Sequence, residues 1–161
     1  KHIFQASHFL TILWKFVLAT HLKVGVLDGR DKDLSEIYSE RFSPGGTDPD
    51  GMIRGYSDGS IGPSRRGRSV LVYNFELQYP LMEQQMYFLL FSDAGNAWLS
   101  GKKMQPFAFR HKSDQALFRS AGLGVRLVIP GMGIIGFDFG YAFDGAERGE
   151  WRPHFQFGTS F

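Results

Sequence analysis

The chain has 161 residues, 43% of them hydrophobic, with 20 Gly, 16 Phe and no Cys. Its 18 Lys and Arg against 16 Asp and Glu leave a net charge of +2, without the concentrated basic face that nucleic-acid binding needs. The lack of Cys excludes disulfides, thiolate-held zinc, iron–sulfur clusters and a Cys nucleophile, and no apolar run reaches the ~18–20 residues of a transmembrane helix.

Taken in chain order, the dominant period is two, the signature of strands. Residues 2–10 form an extended segment of uncertain phase, followed by a short turn expected at residues 11–13. Trp14, Phe16, Leu18, Leu22 and Val24 then alternate with Lys15, Val17, Ala19, His21 and Lys23. After a long loop at about residues 27–67, Leu71, Tyr73, Phe75, Leu77, Tyr79 and Leu81 alternate with Val70, Val72, Asn74, Glu76 and Gln78. A short turn at residues 80–85 leads into residues 86–98, where Tyr87, Leu89, Phe91, Asp93 and Gly95 share one face. A second long loop covers residues 101–118. Ala121, Leu123, Val125, Leu127 and Ile129 follow, opposed to Ser120, Gly122, Gly124, Arg126 and Val128. The Pro130-Gly131-Met132 turn precedes Ile135, Phe137, Phe139, Tyr141 and Phe143, which alternate with Ile134, Gly136, Asp138, Gly140, Ala142 and Asp144. A medium loop at residues 145–150 ends at the last strand. There Trp151, Pro153, Phe155, Phe157, Thr159 and Phe161 lie on one face and Arg152, His154, Gln156, Gly158 and Ser160 on the other.

In the five regular strands the apolar face carries no charge, while the opposite face carries Lys, Arg, Glu, Asp, His and Gly. The strands are long, and aromatics cluster toward their ends. Short connections alternate with long ones. Together these features describe a lipid-facing band with aromatic girdles, short turns on one side of a membrane and long loops on the other. The fold class is therefore all-β, seven antiparallel strands of a transmembrane barrel. Seven is fewer than the eight of the smallest such barrels, so the chain is expected to be part of a larger one with two open edges. It opens on Lys1 without a signal-peptide pattern and is read as the interior of a longer precursor.

The chemistry concentrates in the first long loop. It holds Ser43-Pro44-Gly45-Gly46 and then Ile53-Arg54-Gly55-Tyr56. Glu76 lies on the polar face of the next strand, and Asp93 is placed on the same inner face of the one after. Two inward carboxylates on adjacent strands make a receptor for a guanidinium, whose planar fork binds carboxylates at two points. Arg54 is expected to reach them, with Tyr56 against the inner wall near Phe91. Asp48, Asp50 and Asp58 fit no EF-hand spacing and are read as turn residues, with no metal expected. His21 and His154 face inward without ligand spacing and are read as wet. Arg65, Arg66 and Arg68 are read as a solvated loop end, with lipopolysaccharide phosphates the sharper alternative. No nucleophile–base pair, paired acids or phosphate cradle stands out, so the chain does not read as an enzyme and no cofactor is expected.

With these residues in view, the chain resembles the outer-membrane protein 85 (Omp85) superfamily, and within it the BamA type of assembly factor. The family's Val-Arg-Gly-Phe/Tyr motif corresponds to Ile53, Arg54, Gly55 and Tyr56, with a mild departure at the first position. Its acidic partners correspond to Glu76 and Asp93. The Asp-Ala-Gly-Asn-Ala-Trp block at residues 93–98, the Gly-Phe-Asp-Phe-Gly-Tyr-Ala strand at residues 136–142 and the terminal aromatic strand also match. The resemblance implies that residues 1–161 are the last seven of sixteen strands, with the loop at about 27–67 inserted in the lumen. It implies a bacterial outer-membrane location and a C-terminal signal and lateral seam built on Pro153, Phe155, Phe157, Gly158 and Phe161. It implies folding and insertion of other β-barrel proteins. The implied partners are outer-membrane lipid and lipopolysaccharide, nascent outer-membrane proteins and accessory assembly lipoproteins, and no nucleic acid. A two-partner secretion translocator of the same superfamily and a passive porin or adhesin barrel remain the alternatives.

Overall fold

In a computed structural model of the chain, the described residues are 1–28, 38–64, 66–82, 85–101, 104–107 and 116–158. Seven strands form one antiparallel meander in sequence order. They are β1 (His2–Leu13), β2 (Phe16–Val26), β3 (Ser69–Met82), β4 (Met86–Trp98), β5 (Phe118–Ile129), β6 (Gly133–Ala142) and β7 (Trp151–Gly158). One 3-10 turn, Tyr38–Glu40, lies in the first long loop. Among the described residues, β1 and β7 are each paired on one side only.

The alternation of the sequence becomes two unlike faces. Leu90, Phe75, Leu123, Phe137, Phe155 and Phe157 are exposed on the outer face, while Asp93, Arg126, Asp138, His154 and Gln156 are buried on the inner one. Strands of this length, tilted, match the thickness of a bilayer's hydrocarbon core. Aromatic rings mark both ends of the outer band. At the short-turn end Tyr79 packs on Phe16 and Trp14, with centroids 5.0 and 6.3 Å away. At the long-loop end Trp151 stacks on Phe139 at 5.1 Å and meets Tyr141 at 5.2 Å. This is the girdle geometry of a membrane barrel wall.

Two boundaries differ from the sequence reading. The first turn falls at Trp14-Lys15 rather than at residues 11–13, and Trp14 takes φ 55°. Thr11 pairs with Val17 and Leu13 with Phe16, so β1 continues three residues further. Trp is not a turn residue by composition, and only the two-residue connection between paired strands reveals it. Pro80 also lies inside β3, opposite Tyr87, so that turn is shorter than residues 80–85.

The inner face is not polar throughout. Val70 and Val72 sit on it, and both are buried. The reason is the loop between β2 and β3, which folds back over them. Its Phe42, Ile53 and Ile61 join Val70, Val72, Ala97 and Leu27 in one apolar cluster. The loop also has its own backbone bonds, with Ile53 N–H donating to Gly46 O at 3.0 Å and Ile61 N–H to Pro44 O at 3.0 Å. A loop that buries an apolar core and closes its own hydrogen bonds is a folded unit, not a solvated excursion.

The two faces give a direct test. In the full-length protein, Phe137→Arg or Leu123→Arg puts a charge on the lipid side and costs roughly 2–4 kcal/mol near the midplane. Gln78→Arg, on the inner face beside Glu76, is tolerated. Folding yield into phospholipid vesicles, read by heat-dependent electrophoretic mobility, is expected to fall for the first two and to hold for the third.

Candidate functional site

The register brings the acidic residues together. Asn74 lies opposite Asp93, and Glu76 opposite Phe91, so Glu76 and Asp93 are diagonal neighbours on the inner face. Arg54 enters from the loop and is fully buried between them. Its Nε donates to Asp93 Oδ2 at 2.8 Å and its Nη2 to Asp93 Oδ1 at 2.9 Å, a two-point contact. Nη1 donates to Glu76 Oε1 at 2.7 Å. The Arg54 backbone N–H adds a bond to Asp93 Oδ2 at 3.0 Å. The guanidinium lies over the Phe91 ring, 3.7 Å from its centroid, so the cation meets the negative face of the ring.

A second pair surrounds the first. Arg126 donates to Asp138 at 2.6 and 2.9 Å through its two terminal nitrogens. Asp138 Oδ2 is also 3.6 Å from Arg54 Nη1. Gln156 donates to Asp138 and Gln78 to Glu76, at 2.8 and 2.9 Å. Two arginines therefore face three carboxylates, each carboxylate with more than one donor. Burial works against the charge on Arg54, and Asp93, Glu76 and Asp138 outweigh it, so its pKa is raised above the ordinary value.

The rest of the motif is tied to the last two strands. Gly55 N–H donates to His154 Nε2 at 2.8 Å, which requires that nitrogen to be unprotonated. Gly55 has φ +92°, and a Cβ there would meet the Gly140–Tyr141 backbone at 3.1–3.2 Å. A Cβ on Gly140 would lie 2.5 Å from Gly55 N. The two backbones cross at this point because neither residue carries a side chain. Tyr56 donates its hydroxyl to Arg119 O at 2.8 Å and accepts from Asp144 N–H at 3.1 Å. Burial pushes its phenol up, which keeps it a neutral donor. Ser57 N–H and Oγ donate to Glu147 at 2.8 and 3.2 Å.

Several expectations need correction. Tyr56 does not pack near Phe91; Arg54 occupies that ring, and Tyr56 meets Phe118 edge-on at 5.9 Å. His154 is buried and hydrogen-bonded rather than wet. Ile53, expected only as the first residue of the motif, lies in the apolar cluster. The site is also larger than the receptor pair of Glu76 and Asp93. Arg126, Asp138, Asn74, Gln156 and Glu147 belong to it, and the sequence reading does not single them out. A signal for two of them is present, since the short turn at residues 130–132 sets Arg126 opposite Gly136 and Asp138 opposite Gly124. Asp58 accepts from Thr47 N–H and Asp50 from Ser43 N–H, at 2.8 and 3.1 Å, which is turn chemistry. Arg66 pairs with Asp50 at 3.4 Å. Arg65 and Phe161 lie outside the described residues.

At the other end of the sheet, Pro153, Phe155 and Phe157 are on the outer face of β7, opposite Phe139, Phe137 and Ile135. Gly158 pairs with Ile134, and a Cβ there would touch nothing within 4 Å. Ala142 N–H donates to Glu150 O at 3.2 Å, which sets the phase of the ladder. Even-numbered residues of β7 bond to β6, and odd-numbered ones turn their backbone groups to the free edge. That edge offers N–H groups at Trp151, Phe155 and Phe157 and none at Pro153.

A family model described as the Omp85 superfamily domain matches residues 1–161. The chain belongs to the Omp85 superfamily. Among solved structures, it is similar to BamA from Haemophilus ducreyi lacking POTRA domains 1–3, with 20% sequence identity and a TM-score of 0.64. The match covers 96% of this chain and 33% of that one, so the chain spans about a third of the length of that structure. No curated protein matches the chain significantly. The Omp85 barrel explains both faces of the sheet: the outer one meets lipid in the bacterial outer membrane, and the inner one lines the lumen.

The network predicts its own failure. Arg54→Ala leaves three buried carboxylates with one cation and is expected to cost about 3–5 kcal/mol. Arg54→Lys restores a charge without the two-point contact and recovers part of it. Gly140→Val, which removes no charge, displaces Gly55 by steric conflict. Limited proteolysis of the folded full-length protein is expected to cut within residues 38–64 in Arg54→Ala and Gly140→Val, more slowly in Arg54→Lys, and least in the native protein.

Proposed function

We propose that this chain is the C-terminal part of an outer-membrane assembly factor that folds and inserts other β-barrel proteins. In this reading the loop carrying Ile53, Arg54, Gly55 and Tyr56 is held in the lumen as a lock, with Glu76 and Asp93 as its receptor and Phe91 as its floor. The observation that supports the lock is the buried Arg54 contact with both carboxylates, a feature that the resemblance gives to secretion translocators of the superfamily as well. A passive pore has no need of a buried cation that anchors a loop across its lumen.

The same proposal assigns a role to the edge of β7 that does not pair with β6. A client strand would pair with it by β-augmentation, using main-chain hydrogen bonds. The missing donor at Pro153 and the bare Gly158 weaken any permanent partner, so the edge can be exchanged. Energy for insertion would come from burial of the client's own apolar face in lipid. Outer-membrane lipid, nascent barrel proteins and accessory lipoproteins are the partners of this proposal, and it involves no cofactor and no catalytic step.

The test reconstitutes the full-length protein in vesicles and follows folding of a urea-unfolded barrel client. The native protein is expected to accelerate folding, and Arg54→Ala to reduce that acceleration about tenfold, the effect of ~1.4 kcal/mol. Passage of a soluble partner into the vesicle, with no acceleration of client folding, would instead establish a secretion translocator.

A further inference from the structure

On the outer face, at the long-loop end, Arg119, Tyr141, Phe143 and Arg148 line a cavity of about 430 Å³. We propose that this cavity binds the phosphorylated headgroup of a lipid in the outer leaflet. The inference rests on the reading that the long loops face the outside.

The location is the first argument. Tyr141 packs edge-on against Phe143 at 5.3 Å and beside Trp151 at 5.2 Å, within the aromatic girdle. Rings at this level sit among lipid headgroups. The cavity therefore opens where a headgroup lies.

The charge is the second. Arg119 gives Nε and Nη2 to Asp144 at 2.9 and 3.0 Å. That contact fixes its plane and leaves the Nη1 N–H groups outside the pair, since a guanidinium has five N–H donors. Arg148 is exposed, and among the described residues no carboxylate pairs with it. The nearby acids Glu147 and Glu150 are engaged by Arg152 at 3.1 and 2.8 Å. Among the described residues Arg148 thus contributes a cation with no ion-pair partner, next to a second guanidinium held in place. Two forks beside a ring floor match a phosphate monoester, which accepts paired N–H bonds.

The site also abuts the lumen lock. The Arg119 backbone carbonyl accepts the Tyr56 hydroxyl from inside, while its side chain lines the cavity outside. The two sites share one residue but not one surface.

The experiment titrates the full-length protein in detergent with bisphosphorylated lipid A and with its dephosphorylated form, counting bound lipid by native mass spectrometry. The native protein is expected to prefer the phosphorylated lipid about tenfold. Arg148→Glu is expected to abolish that preference and Arg148→Lys to keep part of it, with heat-dependent mobility confirming that both variants fold. An undiminished preference in Arg148→Glu would overturn the proposal. So would displacement of the lipid by equimolar inorganic phosphate, which would indicate a free-anion site. Lipid binding is read without any assembly assay, so its failure and that of the assembly reading are distinguishable.

Discussion

The buried charge of Arg54 is the constraint on which the inner half of this structure depends. A guanidinium removed from water must be matched on every side, or the loop that carries it does not stay. Asp93 meets it at two points, Glu76 at one, and Phe91 covers its face. Those carboxylates would themselves be costly if unpaired, so loop and wall stabilise each other. The consequence is a loop ordered by electrostatics at its tip and by an apolar cluster behind it, where Ile53 meets Val70 and Val72.

The glycines of the inner face are the counterpart of this packing. Phe91 lies over Gly122, its cross-strand neighbour, and a Cβ on Gly122 would sit 2.5 Å from Phe91 Cζ. Arg126 lies over Gly136, and Asp138 over Gly124, where a Cβ would collide with its carboxylate. Each large side chain lies flat along the wall because the residue opposite it is bare. A guanidinium on Phe91 and a bidentate pair across β5 and β6 both need that flatness. Glycine weakens a strand, but here the side chains that occupy its space return contacts to the same sheet.

Much of this is legible in the sequence, and the reason is local. Strand alternation depends on neighbours two residues apart, so the five regular strands and their faces follow from spacings such as Ile135, Phe137, Phe139, Tyr141 and Phe143 without any fold in hand. The long loop is legible because its composition breaks the period. What escapes depends on pairing between distant segments. Gly55 and His154 are 99 residues apart, and Ser57 and Glu147 are 90 apart. Val70 and Val72 look misplaced on a polar face until the loop that covers them is in place. Trp14 hides a turn because its backbone conformation is imposed by the pairing of β1 with β2, against the preference of its side chain.

These long-range bonds have a mechanical meaning. The motif does not end at its arginine: Gly55, Tyr56 and Ser57 bind His154, Asp144 and Glu147 in succession. Arg54 grips β3 and β4, whereas the three residues after it grip β7 and the connection leading into it. One short stretch of loop therefore spans the inside of the sheet from its middle to its last strand. The free edge of β7 lies one residue's parity away, since His154 turns its side chain inward and its backbone to β6 while Pro153 and Phe155 turn theirs to the edge. Any outward swing of β7 must either break the Gly55–His154 bond or carry Gly55 with it, and Gly55 cannot move far while Arg54 is held by two carboxylates. In the proposed function the lock and the edge would thus be parts of one linkage, with the ion network limiting how far the last strand departs from β6.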